Sequence, residues 1–135
     1  MIETMLIKEY RKKVSISEPA DVLPLCRDLL AGSKKEVFMV LLLDSDNGVI
    51  ASEIVSVGTL NMTVIHPREI FKLAIIKSAN AVIALHNHPS SSLEPSKEDI
   101  KITERLAEAG ELLGIKLLDH LIVSEDVKTY RSIGP

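Results

Sequence analysis

The stretch Ala81-Val82-Ile83-Ala84-Leu85-His86-Asn87-His88-Pro89, continued through Ser90-Ser91-Ser92-Leu93-Glu94-Pro95-Ser96-Lys97-Glu98-Asp99, decides how the chain is read. Its apolar opening is too short and too sharply stopped for a helix, and reads as a buried strand. Residues two apart in a strand project to one face, so His86 and His88 stand side by side. Pro89 cannot donate to a ladder and ends the strand. A polar loop follows, and Pro95-Ser96 opens a helix whose first turn holds Asp99. Two imidazoles and one carboxylate are a favoured ligand set for a catalytic zinc, with a fourth position left for water.

Each of these residues also has a plain structural explanation. Ser96 and Asp99 have the spacing of a capping box, although Asp is shorter than the usual Glu or Gln there. A lone His-x-His is often a pair of half-buried rings with satisfied hydrogen bonds. Those explanations leave out the combination: two of the chain's four histidines end a core strand, and the next helix start brings a carboxylate. Metal binding accounts for all three at once.

The flanking chain supplies a scaffold. Residues 36–44 read as a central apolar strand, Asp44-Ser45-Asp46-Asn47-Gly48 as a hairpin turn, since Asn-Gly tolerates positive φ, and residues 49–57 as the returning strand. Residues 15–31 contain one helix, with Val22, Leu25, Cys26, Leu29 and Leu30 at helical spacing, Asp21 as N-cap and Pro24 in the first turn, where its missing N–H costs nothing. Residues 58–65 form a connection able to line a substrate groove, and an exposed strand edge there would accept an extended peptide. Pro67 starts a helix burying Ile70, Phe71, Ala74 and Ile75. The longest helix, over residues 96–113, turns Ile102, Leu106, Ala109 and Leu113 to the core, and Gly114 stops it. Residues 116–123 are another strand. Its Asp119 and His120 point to opposite faces and cannot easily share one ion, so a supporting hydrogen-bonding role suits them better. Residues 130–135 form a short final strand or tail. The expected fold is α/β, a mixed and partly antiparallel sheet flanked by helices.

Glu36 opens an otherwise apolar strand, and on residue chemistry alone it is an exposed strand end. Glu53 lies mid-strand among alternating polar residues and reads as solvent-facing.

His86-x-His88-Pro89 followed by Ser96-x-x-Asp99 resembles the JAMM (MPN+) metallopeptidase signature. His86-Asn87-His88-Pro89-Ser90 together with Asp119-His120-Leu121-Ile122 resembles more narrowly the JAB domain of RadC-type proteins. The likeness runs from about Glu36 to Val123, through Gly58-Thr59 and His66-Pro67-Arg68-Glu69. Ser91 departs from it, standing where the RadC pattern has glycine. The resemblance implies a JAB/MPN-like, cytidine-deaminase-like layout, zinc held by His86, His88 and Asp99, and hydrolysis of peptide or isopeptide bonds in a peptide or protein substrate. It also implies that Glu36, placed before a short apolar stretch, is the general base. Ser96 then has two jobs open to it, helix cap and oxyanion donor. RadC-type proteins commonly carry a helix-hairpin-helix region ahead of this domain, which this sequence lacks, so an isolated domain or a fragment is expected.

Composition sets the outer bounds. The 135 residues suit one domain, read as an N-terminal extension over residues 1–14 and a metal-binding domain over residues 15–135. Aromatics are 3% and tryptophan is absent, so the core is aliphatic. A net charge of −3 and the lack of stacking aromatics count against direct nucleic-acid binding. Lys8, Arg11, Lys12 and Lys13 form the densest basic cluster, without aromatic partners. Cys26, the only cysteine, reads as a small buried hydrophobe, and its solitude suits a reducing cytoplasm. No apolar run is long enough to cross a membrane. Two readings from other classes stand beside the hydrolase: a metal-bearing but non-catalytic interaction module, and a DNA-repair-associated factor. The natural substrate and the oligomeric state are not written in the sequence.

Overall fold

The computed structural model describes residues 7–58 and 65–134. Most of the connection read as a substrate groove, residues 59–64, lies outside the described residues, as do residues 1–6 and residue 135. The described strands are β1 (Ile7–Glu9), β2 (Val37–Leu43), β3 (Val49–Val57), β4 (Ala81–Asn87), β5 (Lys116–Val123) and β6 (Tyr130–Ser132). The α-helices are α1 (Leu23–Leu30), α2 (Pro67–Ile76) and α3 (Lys97–Leu113). The strands form one six-stranded sheet in the order β1-β3-β2-β4-β5-β6. β4 and β5 are parallel and every other pair is antiparallel. The sheet is therefore mixed and partly antiparallel, as the sequence pattern predicts.

β2 and β4 are central and buried along their whole length, which is why they read as unbroken apolar runs. Alternation divides their side chains between two cores. Met39, Leu41, Leu43, Ile83 and Leu85 pack with Cys26 and Leu30 of α1 on one face. Phe38, Val40, Leu42, Val82 and Ala84 pack with Phe71 of α2 and Ile102 and Leu106 of α3 on the other. His86 follows Val82 and Ala84 in the alternation, so it continues the α3 face. β4, α3 and β5 make a β–α–β unit, and the carboxyl ends of parallel strands are where such sheets place their sites.

Local chemistry departs from the expected pattern at a few points. Asp21 does not cap α1. Its Oδ2 accepts from the backbone N–H of Ser17 and Glu18, closing a 3₁₀ turn over Pro19–Val22 that precedes the helix. Ile75 is 56% exposed and Leu113 48% exposed, so neither belongs to the buried stripe. On α3 that stripe is Asp99, Ile102, Thr103, Leu106 and Gly110. Gly110 sits there because a Cβ would lie 2.4 Å from the Ile115 carbonyl oxygen. Glu53 is half-buried, and burial with the nearby Glu69 raises its carboxyl.

Candidate metal centre

Every polar group at the end of β4 has a definite partner. His86 and His88 leave the sheet on the α3 face, and their Nε2 atoms are 3.1 Å apart. Asp99, in the first turn of α3, faces both: Oδ1 is 3.2 Å from His86 Nε2 and Oδ2 is 3.2 Å from His88 Nε2. Four ligands at zinc bond lengths of about 2.0–2.1 Å in a tetrahedron are about 3.3 Å apart. The three side chains thus already stand at nearly the separations one ion imposes. They are the only such group of histidine, cysteine and acidic side chains among the described residues.

Asp99 is placed by the reciprocal box at the helix start. Ser96 Oγ accepts from the Asp99 backbone N–H at 3.0 Å, and Asp99 Oδ2 accepts from the Ser96 N–H at 2.9 Å. The plain and the functional explanations of these residues therefore hold together: the cap is what aims the carboxylate. Burial pushes the Asp99 carboxyl up. The hydrogen bond and charge of His86, the Ser96 N–H and His88 outweigh it and hold the group well below the usual carboxylate range.

The outer ring nitrogens are also held. His88 Nδ1 lies 2.6 Å from the Ser92 carbonyl oxygen, inside the loop after Pro89. His86 Nδ1 lies 2.9 Å from His120 Nε2, and His120 Nδ1 lies 2.6 Å from Thr103 Oγ. Burial drives His120 down to about 3, helped by the neighbouring His86, so its ring is neutral. Asp119 points away from this cluster and accepts from its neighbour's backbone and from Ser132 Oγ. Those two residues do face opposite ways, but the strand is not regular. Val82 pairs with Leu117 and Ile83 with Asp119, leaving Leu118 as an extra residue. That bulge brings His120 onto the face of His86.

Glu36 lies just ahead of β2, half-buried, and lines a cleft of about 550 Å³ together with His88, Ser96 and Asp99. Asn87, between the two histidines, points to the opposite face and is wholly buried. Its Oδ1 accepts from the Val37 N–H at 2.7 Å and its Nδ2 donates to the Lys35 carbonyl at 3.0 Å. It thereby clamps the backbone on both sides of Glu36. Sequence reasoning passed over Asn87, Ser92 and Thr103. Alternation along β4 and the four-residue step from Asp99 to Thr103 were the available signals for two of them. Ser92 acts through its backbone, which no side-chain pattern reports. His66, which the family likeness runs through, is the N-cap of α2 and is not among the three grouped side chains. Ser91 has φ +64°, a conformation glycine adopts freely, and its Oγ accepts from the Glu125 N–H.

A mixed sheet with two histidines at a strand end and a carboxylate at the following helix start is the layout of a JAB-type domain with a candidate metal site. The profile of the RadC-like JAB domain matches residues 16–134, and the chain belongs to that family. It is 50% identical over 123 residues to a UPF0758 protein of Staphylococcus haemolyticus, covering 91% of this chain and 54% of that one. A UPF0758 protein of Methanosarcina mazei is 46% identical over 124 residues, 92% of this chain and 53% of the relative. The chain spans about half the length of the curated relatives it matches. Among the described residues, no helix is long and apolar enough to cross a membrane.

Proposed function

We propose that this domain is a zinc-dependent hydrolase of peptide or isopeptide bonds, with His86, His88 and Asp99 holding the ion. Zinc, when bound, supplies a Lewis acid and brings the pKa of a water from about 15.7 towards 7. Glu36 takes the proton of the attacking water and returns it to the departing amine as the C–N bond breaks. The Ser96 oxygen accepts from the backbone and keeps its own hydrogen to donate. The hydroxyl would hydrogen-bond the carbonyl oxygen, without losing the proton, as negative charge develops there, a donor worth about 2–4 kcal/mol. Asn87 holds Glu36 in place from behind.

The observation that carries this reading is the meeting of two Nε2 atoms and one carboxylate at 3.1–3.2 Å, with His88 and Asp99 on the wall of the cleft that Glu36 and Ser96 also line. The test is zinc titration and amide hydrolysis by wild type, Glu36→Gln and His88→Ala. Glu36→Gln should keep its zinc and lose turnover by about 10²–10⁴-fold, and His88→Ala should lose the zinc itself. Equal zinc and equal activity in wild type and Glu36→Gln would remove Glu36 as the base.

A further inference from the structure

The hydrogen-bond partners of the two imidazoles determine where their protons sit. Thr103 Oγ is 2.8 Å from the carbonyl oxygen of Asp99, four residues back on the helix. A carbonyl can only accept, so the hydroxyl hydrogen of Thr103 is committed to it. Thr103 Oγ must then accept from His120, which places the His120 proton on Nδ1. The ring is fully buried, and its nitrogens meet only Thr103 and His86. His120 Nε2 therefore carries a lone pair and accepts from His86 Nδ1–H. In its neutral form, the form able to bind an ion, His86 is left with its lone pair on Nε2, the atom that faces His88 and Asp99. His88 reaches the same state independently, since its Nδ1 donates to the Ser92 carbonyl.

We propose that His120 and Thr103 are positioning residues that lock His86 in the Nδ1–H tautomer, so that an imidazole lone pair, not an N–H, is aimed at the ion. The proposal rests on the metal reading of the site. The line of bonds runs from His86 through His120 and Thr103 to the carbonyl of Asp99, whose carboxylate is itself at the centre. An ion held by His86 and Asp99 would close this line into a ring, so that a change in any member would reach both ends. The C-terminal tail seals it: Ile133 N–H donates to the His120 carbonyl, and a Cβ at Gly134 would lie 2.2 Å from Thr103 Cγ2. Only glycine lets the tail lie that close.

The experiment is ¹⁵N NMR of the histidine rings in the metal-free full chain, with zinc titration, on wild type, Thr103→Val and Thr103→Ser. Wild type should show His86 protonated on Nδ1. Thr103→Val keeps the shape but offers no acceptor, so His120 is released to protonate Nε2, and His86 shifts toward Nε2–H. Zinc affinity should fall by about 10–100-fold, and Thr103→Ser should restore both readouts. A neutral His86 protonated on Nε2 instead of Nδ1 in the wild type overturns the proposal whatever the variants do, as does a Thr103→Val protein with unchanged ring signals and affinity. Neither readout depends on turnover. A protein whose tautomers and zinc respond as stated but which cleaves no amide refutes the hydrolase reading alone.

Discussion

The two faces of the sheet are built from the same strands at alternating positions, and they do different work. Toward α1, the column of Met39, Leu41, Leu43, Ile83 and Leu85 meets Cys26 and Leu30 in an aliphatic core. Toward α3, the column of Val82 and Ala84 runs on into His86, which has the buried Phe38 ring stacked beside it and polar groups leading on from its nitrogens: His120, Thr103 and Asp99. Burying polar groups without partners costs several kcal/mol, yet no buried side-chain nitrogen or oxygen among the described residues lacks a partner. Both faces contribute stability through buried apolar area, but only the α3 face adds a set of directed bonds around His86. Damage should separate accordingly: stability on the first face, metal affinity on the second.

The largest effect is expected at Asp99→Asn. The amide oxygen still accepts from the Ser96 N–H, so the helix start survives, but the charge facing the two imidazoles is gone. Zinc affinity measured by calorimetry should fall by more than the about 10–100-fold typical of supporting partners, with little change in the urea midpoint of the metal-free protein. A variant that binds zinc as wild type does would end the division of labour between the faces. The converse is Leu41→Ala, at a position with 0% exposure. It should lower unfolding free energy by about 2–5 kcal/mol while the folded fraction binds zinc as before. A matching loss of affinity would show the two faces to be coupled.

Asn87 crosses the division and sharpens it. It faces the α1 side, but its two hydrogen bonds fix the backbone around Glu36. Asn87→Ala orphans the buried Val37 N–H, at about 1–3 kcal/mol of stability, while the Lys35 carbonyl keeps the Ser33 hydroxyl. Zinc affinity should be unaffected, while turnover falls through misplacement of Glu36. Zinc loss equal to that of Asp99→Asn would mean that Asn87 serves the ligands instead.

The aliphatic face was the legible one. Strands β2 to β5 lie within a residue or two of their apolar runs, because a buried run bounded by Gly, Pro or Asp has few alternatives. The three grouped side chains were legible too, since alternation and a capping box both act over short spans. A supporting hydrogen-bonding role for Asp119 and His120 was legible as well, but the partners they would take were not. His120 reaches the face of His86 only through the bulge at Leu118, and strict alternation from the buried Leu117 would have turned it away. Leu113 and Ile75 have helical spacing but lie at helix ends, where the sheet no longer covers them. The loop departure at Ser91 was visible, though its positive φ was not. A bulge and a backbone angle are settled by the packed whole, not by local preference.

The smallest effect concerns Cys26 on the inert face. Burial in α1 pushes its thiol from 9.0 up to about 12, against a weaker opposing pull from Arg27. The unfolded chain releases this proton near its ordinary pKa while the folded chain retains it. Stability contributed by the thiol is therefore complete below pH about 9 and declines by about 1.4 kcal/mol per pH unit towards pH about 12. Comparing Cys26→Ala with wild type in urea melts at pH about 8 and pH about 10 isolates that slope from the lysines and tyrosines common to both proteins. Wild type should lose about 1.4 kcal/mol more than the variant over this interval. Alkylation of the folded protein at pH about 8 should also be slow, because the thiolate is the reactive form. Equal alkaline losses in the two proteins, or rapid alkylation of the native thiol, would show that the α1 face admits charge and that its contrast with the metal face is weaker than packing alone suggests.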